Sequence, residues 1–586
     1  MSTHGIYGLS GSGIDVESMV KVGMMTKQSQ YDKLYKKEVK NEWIKDAYSS
    51  VYSDLQTFNS STMSSYKMSS KTNPMLAAST TSTVASATAN ADAASMSHSV
   101  TVTQLASNAY MQSTEAVTRA ASTTDKTSTS IYLTDVLYNA TDLATQKAAY
   151  TKMSDEEKSQ VALSFTISDG DSDNTGTNKK NINFTYADLF GSNQTLNDLA
   201  SKIKNSGVNI AAQYDSTNNS FSLYNKDGGA SNQINLSVTS YDAATTTNGV
   251  TYSASADEAA RTLLNNLHLG AVHTVTAAEA AADSSLTAGT TTLGQAATFS
   301  AGDTTAVSVS GTDAKVTIDG KSYTSDSNKL SVANVTYTLA STGTTNVTVS
   351  QDTDTLISNV KQFVTDYNKM LDELNTKYNE TQYSTYDVLT KSQESSMTAD
   401  QITKWNEKAK SGLLYHDKNI GNIISSMREA IYTPVESVDS DYNTMMSIGI
   451  TSSTDQGHLT LDEDKLKKAL AADPDSVYQL FASSGEVTDS AGKTTTNYDK
   501  EGVVNRIYDK VNTGMSVMKD YAGTSTSTSD DSTLGELIRD LKTKMSDFKT
   551  QMDAYEDKLF DKYDAMETAI QKLSASMNYV TGSTSS

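Results

Sequence analysis

Residues 533–580 read TLGELIRDLKTKMSDFKTQMDAYEDKLFDKYDAMETAIQKLSASMNYV, and Ile538, Met545, Met552, Leu559, Met566, Leu573 and Val580 recur there at every seventh position. A second series, Leu541, Phe548 and Tyr555, is interleaved with the first and gives way to Lys562, Ala569 and Ser576. A sustained seven-residue apolar repeat in a polar sequence is a coiled-coil pattern, because it keeps one seam of the helix facing a partner over many turns. At a rise of about 1.5 Å per residue the helix is roughly 70 Å long, far longer than a compact domain needs. Such a seam predicts a partner.

The partner predicted is the opposite end of the chain. Val20, Met24, Tyr31 and Leu34 form one apolar stripe, and Ile44, Tyr48, Val51, Leu55 and Phe58 form a second at steps of four and three. The alternative is that each stripe faces only its own globular core; length and heptad regularity favour pairing of the ends. The stretch before these stripes, GIYGLSGSGIDVESMV at 5–20, has no basic segment, apolar run or cleavage site of a secretory signal. It reads as a Gly/Ser hinge followed by a helix that Asp15 caps and Glu17 supports in its first turn. A segment of this kind is expected to be retained and used.

Composition bounds the function. A chain of 586 residues implies about three or four domains. The balance of 47 basic against 69 acidic side chains, a formal charge of -22, repels phosphate backbones and anionic membranes, so neither nucleic acid nor membrane insertion is expected. No run of about 18 apolar residues occurs. The absence of cysteine excludes disulfides, thiolate metal sites and a Cys nucleophile. Stability must come from packing and assembly.

After Pro74 the helical periodicity stops and SVTVTQLAS, 99–107, alternates as a half-buried strand does. Strand patterns continue through VALSFTISDGD (161–171), FSLYNKDGGASNQINLSVT (221–239), DAKVTIDGKSYTSDSNKLSVANVTYTLAS (313–341) and TNVTVS (345–350), divided by DG, NN, SN and TG turn signals. A short helix, Leu196 to Lys204, is predicted after Thr195. From Asp352, the positions Leu356, Val360, Phe363, Tyr367, Met370 and Leu374 restore a helix. NIGNIISSMREAIY (419–432) and LDEDKLKKAL (461–470) are shorter amphipathic helices, the second opened by Asp462 and closed before Pro474. Segments 380–410, 484–500 and 522–533 are polar and irregular and read as insertions or loops.

No catalytic constellation emerges. His268 and His273, five apart, fit one helical face poorly as metal ligands. The acidic run from Asp169 begins like a calcium loop, but Asn174 stands where such a loop needs glycine and Lys180 where it needs glutamate. Gly320-Lys321-Ser322 and Gly492-Lys493-Thr494 lack the earlier phosphate-loop glycine, replaced by Lys315 and Val487. GLSGSG at 8–13 has Ser12 where a nucleophile elbow closes on glycine, and no strand precedes it for a dinucleotide site. No enzyme activity, metal or cofactor is expected.

Several stretches carry a family resemblance: SGSGIDVESMVKVGMMTKQ (10–28), SVTVTQLAS, DAKVTIDG with NVTYTL, DTDTLISNVKQFVTDYNKMLDEL (352–374), GLLYHD (412–417), LTLDEDKLKKALAADPDSVYQLFA (459–482) and YEDKLFDKYDAMETAIQKLSASMNYV (555–580). The chain resembles the flagellar filament-capping family, also called hook-associated protein 2. It departs from the family at AASMSH, 93–98, where a proline and glycine are common, and matches weakly in the β-rich middle and near 390 and 490.

The resemblance implies a multidomain α+β fold, with a long terminal helical leg and two antiparallel β-rich head domains inserted between its helical parts. The expected divisions are 1–45, an N-terminal segment pairing with 533–586; 46–87 with 351–532, a helical leg domain; 88–118 with 275–350, a first head domain; and 119–274, a second, inserted one. It also implies a cap at the distal, extracellular tip of a flagellum that helps exported flagellin fold and insert, without covalent chemistry. A ring of about five copies, within a range of about four to six, is implied. Flagellin, hook–filament junction proteins, and the flagellar type III export apparatus with its chaperone are the implied partners. The residues expected to touch the filament or pair the two ends are Ile14, Val16, Met19, Val20, Met24, Leu559, Met566, Leu573 and Val580. The competing readings are another flagellar axial protein, for which an Asn-rich start and an RLSSG-like stretch are wanting, and a surface adhesin, for which no anchoring signal follows the last helix; adhesion through the head is compatible with capping. A glycan hydrolase in the head is the remaining alternative.

Overall fold

The computed structural model describes residues 15–121, 131–170, 178–239, 245–247, 250–275, 277–282, 284–285, 287–438, 441–453, 456–524 and 530–582. The chain divides into two compact units, Met1–Pro74 with Gln351–Ser586 and Met75–Ser350. The first is helical and the second rich in antiparallel sheet, which makes the fold α+β.

In the helical unit we label α1 (Val16–Thr57), α2 (Thr353–Tyr378), α3 (Ala399–Lys410), α4 (Lys418–Tyr432), α5 (Glu463–Ala472), α6 (Pro474–Ala482), α7 (Val503–Ala522) and α8 (Thr533–Gly582). Their starts follow from acidic caps. Asp15 accepts from the Ser18 amide at 3.0 Å, Asp352 from Thr355 at 2.9 Å and Asp462 from Lys465 at 3.1 Å, each satisfying an amide that has no partner inside its helix. Pro474 opens α6, where its missing N–H is no loss.

The apolar stripes of these helices meet in one core. Tyr48, Val51 and Leu55 come from α1 and Phe58 from the turn that follows it, Leu356, Val360, Phe363 and Tyr367 from α2, Ile420, Ile423 and Met427 from α4, and Val503, Ile507 and Val511 from α7. Phe363 stands edge-on to Phe481 at 5.6 Å, a favoured aromatic arrangement. Gly514 lets α7 lie close on α4, since a Cβ there would fall 2.4 Å from Ile423 Cγ1. Past Thr57 the helix continues through a π-helical turn, Phe58–Met63, which the side-chain amide of the buried Asn59 ties to the Tyr508 carbonyl at 3.1 Å.

The β-rich unit has two cores. One sheet runs in the order Met75–Ser79, Gly343–Gln351, Ser97–Gln104, Ala314–Ile318, Lys321–Ser325, and a three-stranded sheet of Lys329–Val332, Val335–Leu339 and Ala85–Ala89 adds to it. Alternate residues such as Val100, Val102, Val316, Ile318, Tyr337 and Val347 point into this first core. The second core lies among the sheets centred on Val161–Ser168 and Asn108–Ser113, with the helices Leu196–Lys204 and Ala256–Asn266 contributing Leu199, Ile203, Leu263 and Leu264. Thr195 caps the first of these helices in a capping box with Asp198.

Several expected boundaries move. The division at 45/46 falls inside α1, a single helix through both stripes. The β-rich unit begins at Met75 rather than 88. Its two cores exchange chain near the isolated bridge between Ser107 and Thr312, rather than at 118 and 275, so that Asn108–Ser113, Thr291–Ala296 and Val307–Ser310 join the sheets around the second core. Alternation runs nearly unbroken from SVTVTQ into NAYMQS and cannot register that the side chains change cores between them. Two of the three expected loops carry structure: α3 lies in 380–410, and Ser484–Thr488 pairs with Thr494–Glu501 in a hairpin. α3 has no buried residue, hence no apolar stripe to read; its signal is the capping box of Thr398 with Gln401. The first GK[ST] triplet lies in a hairpin turn, where Asp319 and Gly320 have φ of 50° and 82°.

One buried cation closes the base of the helical core. Arg506 is fully buried and donates to the carbonyls of Tyr498 (2.9 Å), Thr433 (2.6 Å), Pro434 (2.8 Å) and Asp499 (2.8 Å). Arg506→Ala strands these acceptors away from water, and urea or thermal unfolding should show a loss of about 3 kcal/mol or more. A change below about 1 kcal/mol would mean that water replaces the guanidinium.

Candidate functional site: the paired terminal helices

α1 and α8 pair antiparallel, as their contacts show in sequence. Val16 and Val20 pack with Leu559, Lys27 lies over Phe548 (5.4 Å) and Tyr555 (5.9 Å), Glu42 binds Lys542 (2.7 Å), and Lys45 binds Asp530. Numbers rise along one helix as they fall along the other. Both heptad series are covered in this stretch: Ile538, Met552 and Leu559 of the first and Leu541 of the second are buried, and Met545 and Phe548 are half-buried.

At the outer end Val16, Val20 and Leu559 form a small core, with Met24, Phe560 and Tyr563 against it. Gly23 lets the Leu559 side chain lie on the α1 backbone, because a Cβ there would sit 2.7 Å from Leu559 Cδ1. Beside this core is a groove of about 810 Å³ lined by Val20, Met24, Met25, Met552 and Phe560, with Glu17, Asp553 and Glu556 among its charged residues.

The expected interface residues have different fates. Val16, Val20 and Leu559 are spent on the pairing itself, Met24 is half-buried against them, and Met19 and Met566 are half-buried. Leu573 is 64% exposed. Ile14 and the side chain of Val580 lie outside the described residues. The exposed apolar groups also include Val22, Met25 and Met577, at 66%, 64% and 61%. The first two escaped sequence reasoning because VKVGMM is apolar around most of the helix, and periodicity selects only the dominant stripe.

The electrostatic ladder along the pair was also missed. Lys542 bridges Glu38 (3.3 Å) and Glu42 (2.7 Å), although Glu38 is 6% exposed. Burial raises the Glu38 carboxyl above the ordinary range, the neighbouring Glu42 raises it further, and Lys542 offsets part of this. Burial also pushes Glu42 up, but the hydrogen bonds with Lys542 and Glu38 and the charges of Lys542 and Lys45 together outweigh it and leave Glu42 below the ordinary range. At Asp530 the desolvation cost is likewise outweighed by Lys45 and Ser532, which hold its carboxyl low.

Among the described residues no group of three His, Asp or Glu side chains is set to hold a metal, and no helix is long and apolar enough to cross a membrane. Of the acidic run beginning at Asp169, residues 171–177 lie outside the described residues. His268 Nε2 bonds Thr118 Oγ1 at 2.7 Å and its Nδ1 faces Glu115 at 3.1 Å, a local loop contact.

Lys542→Met leaves Glu38 and Glu42 facing each other without their cation. Because Lys542 is 56% exposed, the cost at neutral pH is about 1 kcal/mol. The raised Glu38 carboxyl takes up its proton in the folded state before it does in the unfolded chain. The deficit should therefore be largest at pH 7 and shrink as pH falls toward the ordinary glutamate range. Thermal melts across that interval check the sign; a deficit that grows in acid contradicts it.

Comparisons with known proteins agree with these features. Residues 12–109 match the family model described as Flagellar hook-associated protein 2 N-terminus, and residues 311–575 match that described as Flagellar hook-associated protein 2 C-terminus. The first interval holds the whole of α1, and the second reaches almost to the end of α8. A Flagellar hook-associated protein 2 from Halalkalibacterium halodurans is 26% identical over 585 residues, covering 96% of this chain and 97% of that protein. One from Thermotoga maritima is 28% identical over 180 residues, covering 28% of this chain and 27% of that protein. The crystal structure of the D1-D2-D3 domains of the flagellar cap protein FliD from Escherichia coli aligns with a TM-score of 0.45 at 18% identity, covering 85% of this chain and 99% of that one. With both of its ends matched by the two models of one family, and a relative aligned along nearly its whole length, the chain belongs to the flagellar hook-associated protein 2 family.

Proposed function

We infer that the protein caps the distal, extracellular tip of a bacterial flagellar filament, where it holds the tip and helps exported flagellin subunits fold and insert. The observation that carries this reading, beside family membership, is the antiparallel closure of both chain ends into one helix pair with apolar side chains left on its outside. Val16, Val20 and Leu559 keep the pair together, while Val22, Met25 and Leu573 remain available to a neighbour.

A cap must hold the tip and still move when each subunit is added. Contacts with the filament then have to be individually weak and repeatable. Scattered exposed side chains on a pair that is already stable by itself meet this requirement, and methionine, flexible and polarizable, adapts to neighbours that change. The terminal stripes from Ile14 to Met24 and from Leu559 to Val580 are the surface we assign to filament contact, with the intramolecular pair as their other state.

The finer partners follow from the same reading. Several copies associate through the β-rich unit into a ring of about five, within a range of about four to six, and a closed ring requires a contact that repeats from copy to copy. Hook–filament junction proteins lie below the first flagellin subunits, and the chain reaches the tip through the flagellar type III channel after release from its chaperone. The work is mechanical, with no covalent step.

Deleting the gene should leave monomeric flagellin in the medium and few or no filaments on the cell; normal filaments in the deletion strain would sink the capping reading. For assembly, the purified protein should sediment as an oligomer that persists, weakened, when residues 1–40 and 540–586 are removed. A strict monomer at high concentration would count against a ring built through the β-rich unit.

A further inference from the structure

The connection between α2 and α4, residues 379–417, is far longer than the few residues that usually join neighbouring helices. It leaves and returns at one place: Ser411 Oγ donates to the Thr381 carbonyl at 2.6 Å, and the Gln382 amide donates to the Gly412 carbonyl at 2.9 Å. Gly412, at φ 71°, allows this closure, since a Cβ there would lie 2.8 Å from the Glu380 carbonyl. A short turn would therefore serve the core equally well. α3, the helix inside the excursion, buries no residue.

What the excursion touches is α1. Asp387 binds Lys36 at 3.3 Å, Lys391 lies 5.4 Å over the ring of Tyr35, and Lys410 lies 5.0 Å over the ring of Trp43. These contacts are set on a rigid base. The Trp405 indole donates to the Asp387 carbonyl at 2.8 Å, Tyr386 packs on Trp405 at 4.7 Å, and Val388 and Leu389 are buried. Ser392 of the same excursion reaches the groove between α1 and α8.

The placement around α1 gives these contacts their meaning. At about 100° per residue, positions 35, 36 and 43 lie on one face, and positions 27, 38, 42 and 45, which bind α8, lie on another about a third of a turn away. α1 is thus held from two sides over the stretch between its buried core residues and the outer pair. The α8 side combines an apolar seam with ion pairs. The excursion side consists of exposed cation contacts, which salt weakens.

We propose that residues 381–411 form a salt-sensitive brace that fixes the line along which α1, and α8 with it, leaves the helical core. When the three cation contacts on Tyr35, Lys36 and Trp43 are broken, the outer pair swings while its own seam stays closed. The brace requires only the helical unit and does not rest on the capping reading.

The absence of native cysteine makes the test clean. Spin labels at Met25→Cys and Met446→Cys, both exposed positions of the helical unit, report the distance between the outer pair and the core in the full chain. In the variant Lys36→Ala, Lys391→Ala, Lys410→Ala the width of the distance distribution should increase about twofold, and the labelled parent should widen similarly at about 1 M salt. Replacing the same three lysines by arginine should keep it narrow. Hydrogen exchange should accelerate about tenfold at residues 30–45 and stay unchanged at 48–57. An unchanged width in the alanine variant overturns the brace, as does exchange that accelerates equally in both segments, which would be general loosening.

Discussion

A seam of apolar side chains along a 50-residue helix needs cover, and here, as far as Leu559, that cover comes from the opposite terminal helix. This requirement sets the architecture. With Val16 and Val20 held on Leu559 and Lys45 on Asp530, everything between the two helices must leave the pair and return to it. The chain meets the condition by closing each excursion where it opens. The Asp352 amide donates to the Pro74 carbonyl at 2.8 Å where the β-rich unit departs and returns, and Ser107 bridges Thr312 where the second β core does the same. Nested insertion follows from a pair whose members are its first and last long helices.

The pair also shows how apolar and charged contacts divide the work. Apolar burial supplies most of the attraction but specifies alignment poorly, because a seam can slide by one heptad with most of its burial intact. Lys45 on Asp530 fits one alignment only, since a one-heptad slide would bring Leu537 or Gly523 there, and Lys542 between Glu38 and Glu42 adds to it. A slide by a heptad that put Gly535 in the place of Lys542 would leave Glu38, already raised by burial, without a cation. The stability gained by these charges is modest; the register they impose is worth more.

Much of this was legible in the sequence where one residue type has one physical use. Asp15, Thr195, Asp352 and Asp462 cap helices because their carboxylate or hydroxyl oxygens satisfy free amides, and the helices begin after them. The seventh-position repeat required a helix partner, and Tyr48, Val51 and Leu55 reach the core that their spacing implies. Relations between distant residues were not legible. Glu38 and Glu42, four apart, look locally like a repulsive pair, and the cation that joins them lies 500 residues from Glu42. Nor does alternation tell one sheet from the next, which hid the exchange of cores at Ser107. Lys391 and Lys410 lie in a polar stretch whose purpose depends on the aromatic rings of α1.

The distance in sequence between Glu42 and Lys542 has a temporal consequence. α1 is made first, and its mate is among the last segments to appear, whether the chain emerges from a ribosome or threads any narrow exit. Until then Val16 and Val20 of α1 lack the cover that Leu559 gives them, so the nascent protein cannot complete its tertiary structure early. Closing a loop of about 500 residues costs roughly 5 kcal/mol in an unstructured chain, and much less once the intervening units have folded and drawn its ends together. The pairing of α1 with α8 is therefore a late event in folding, and its closure reports that everything between the two helices has arrived.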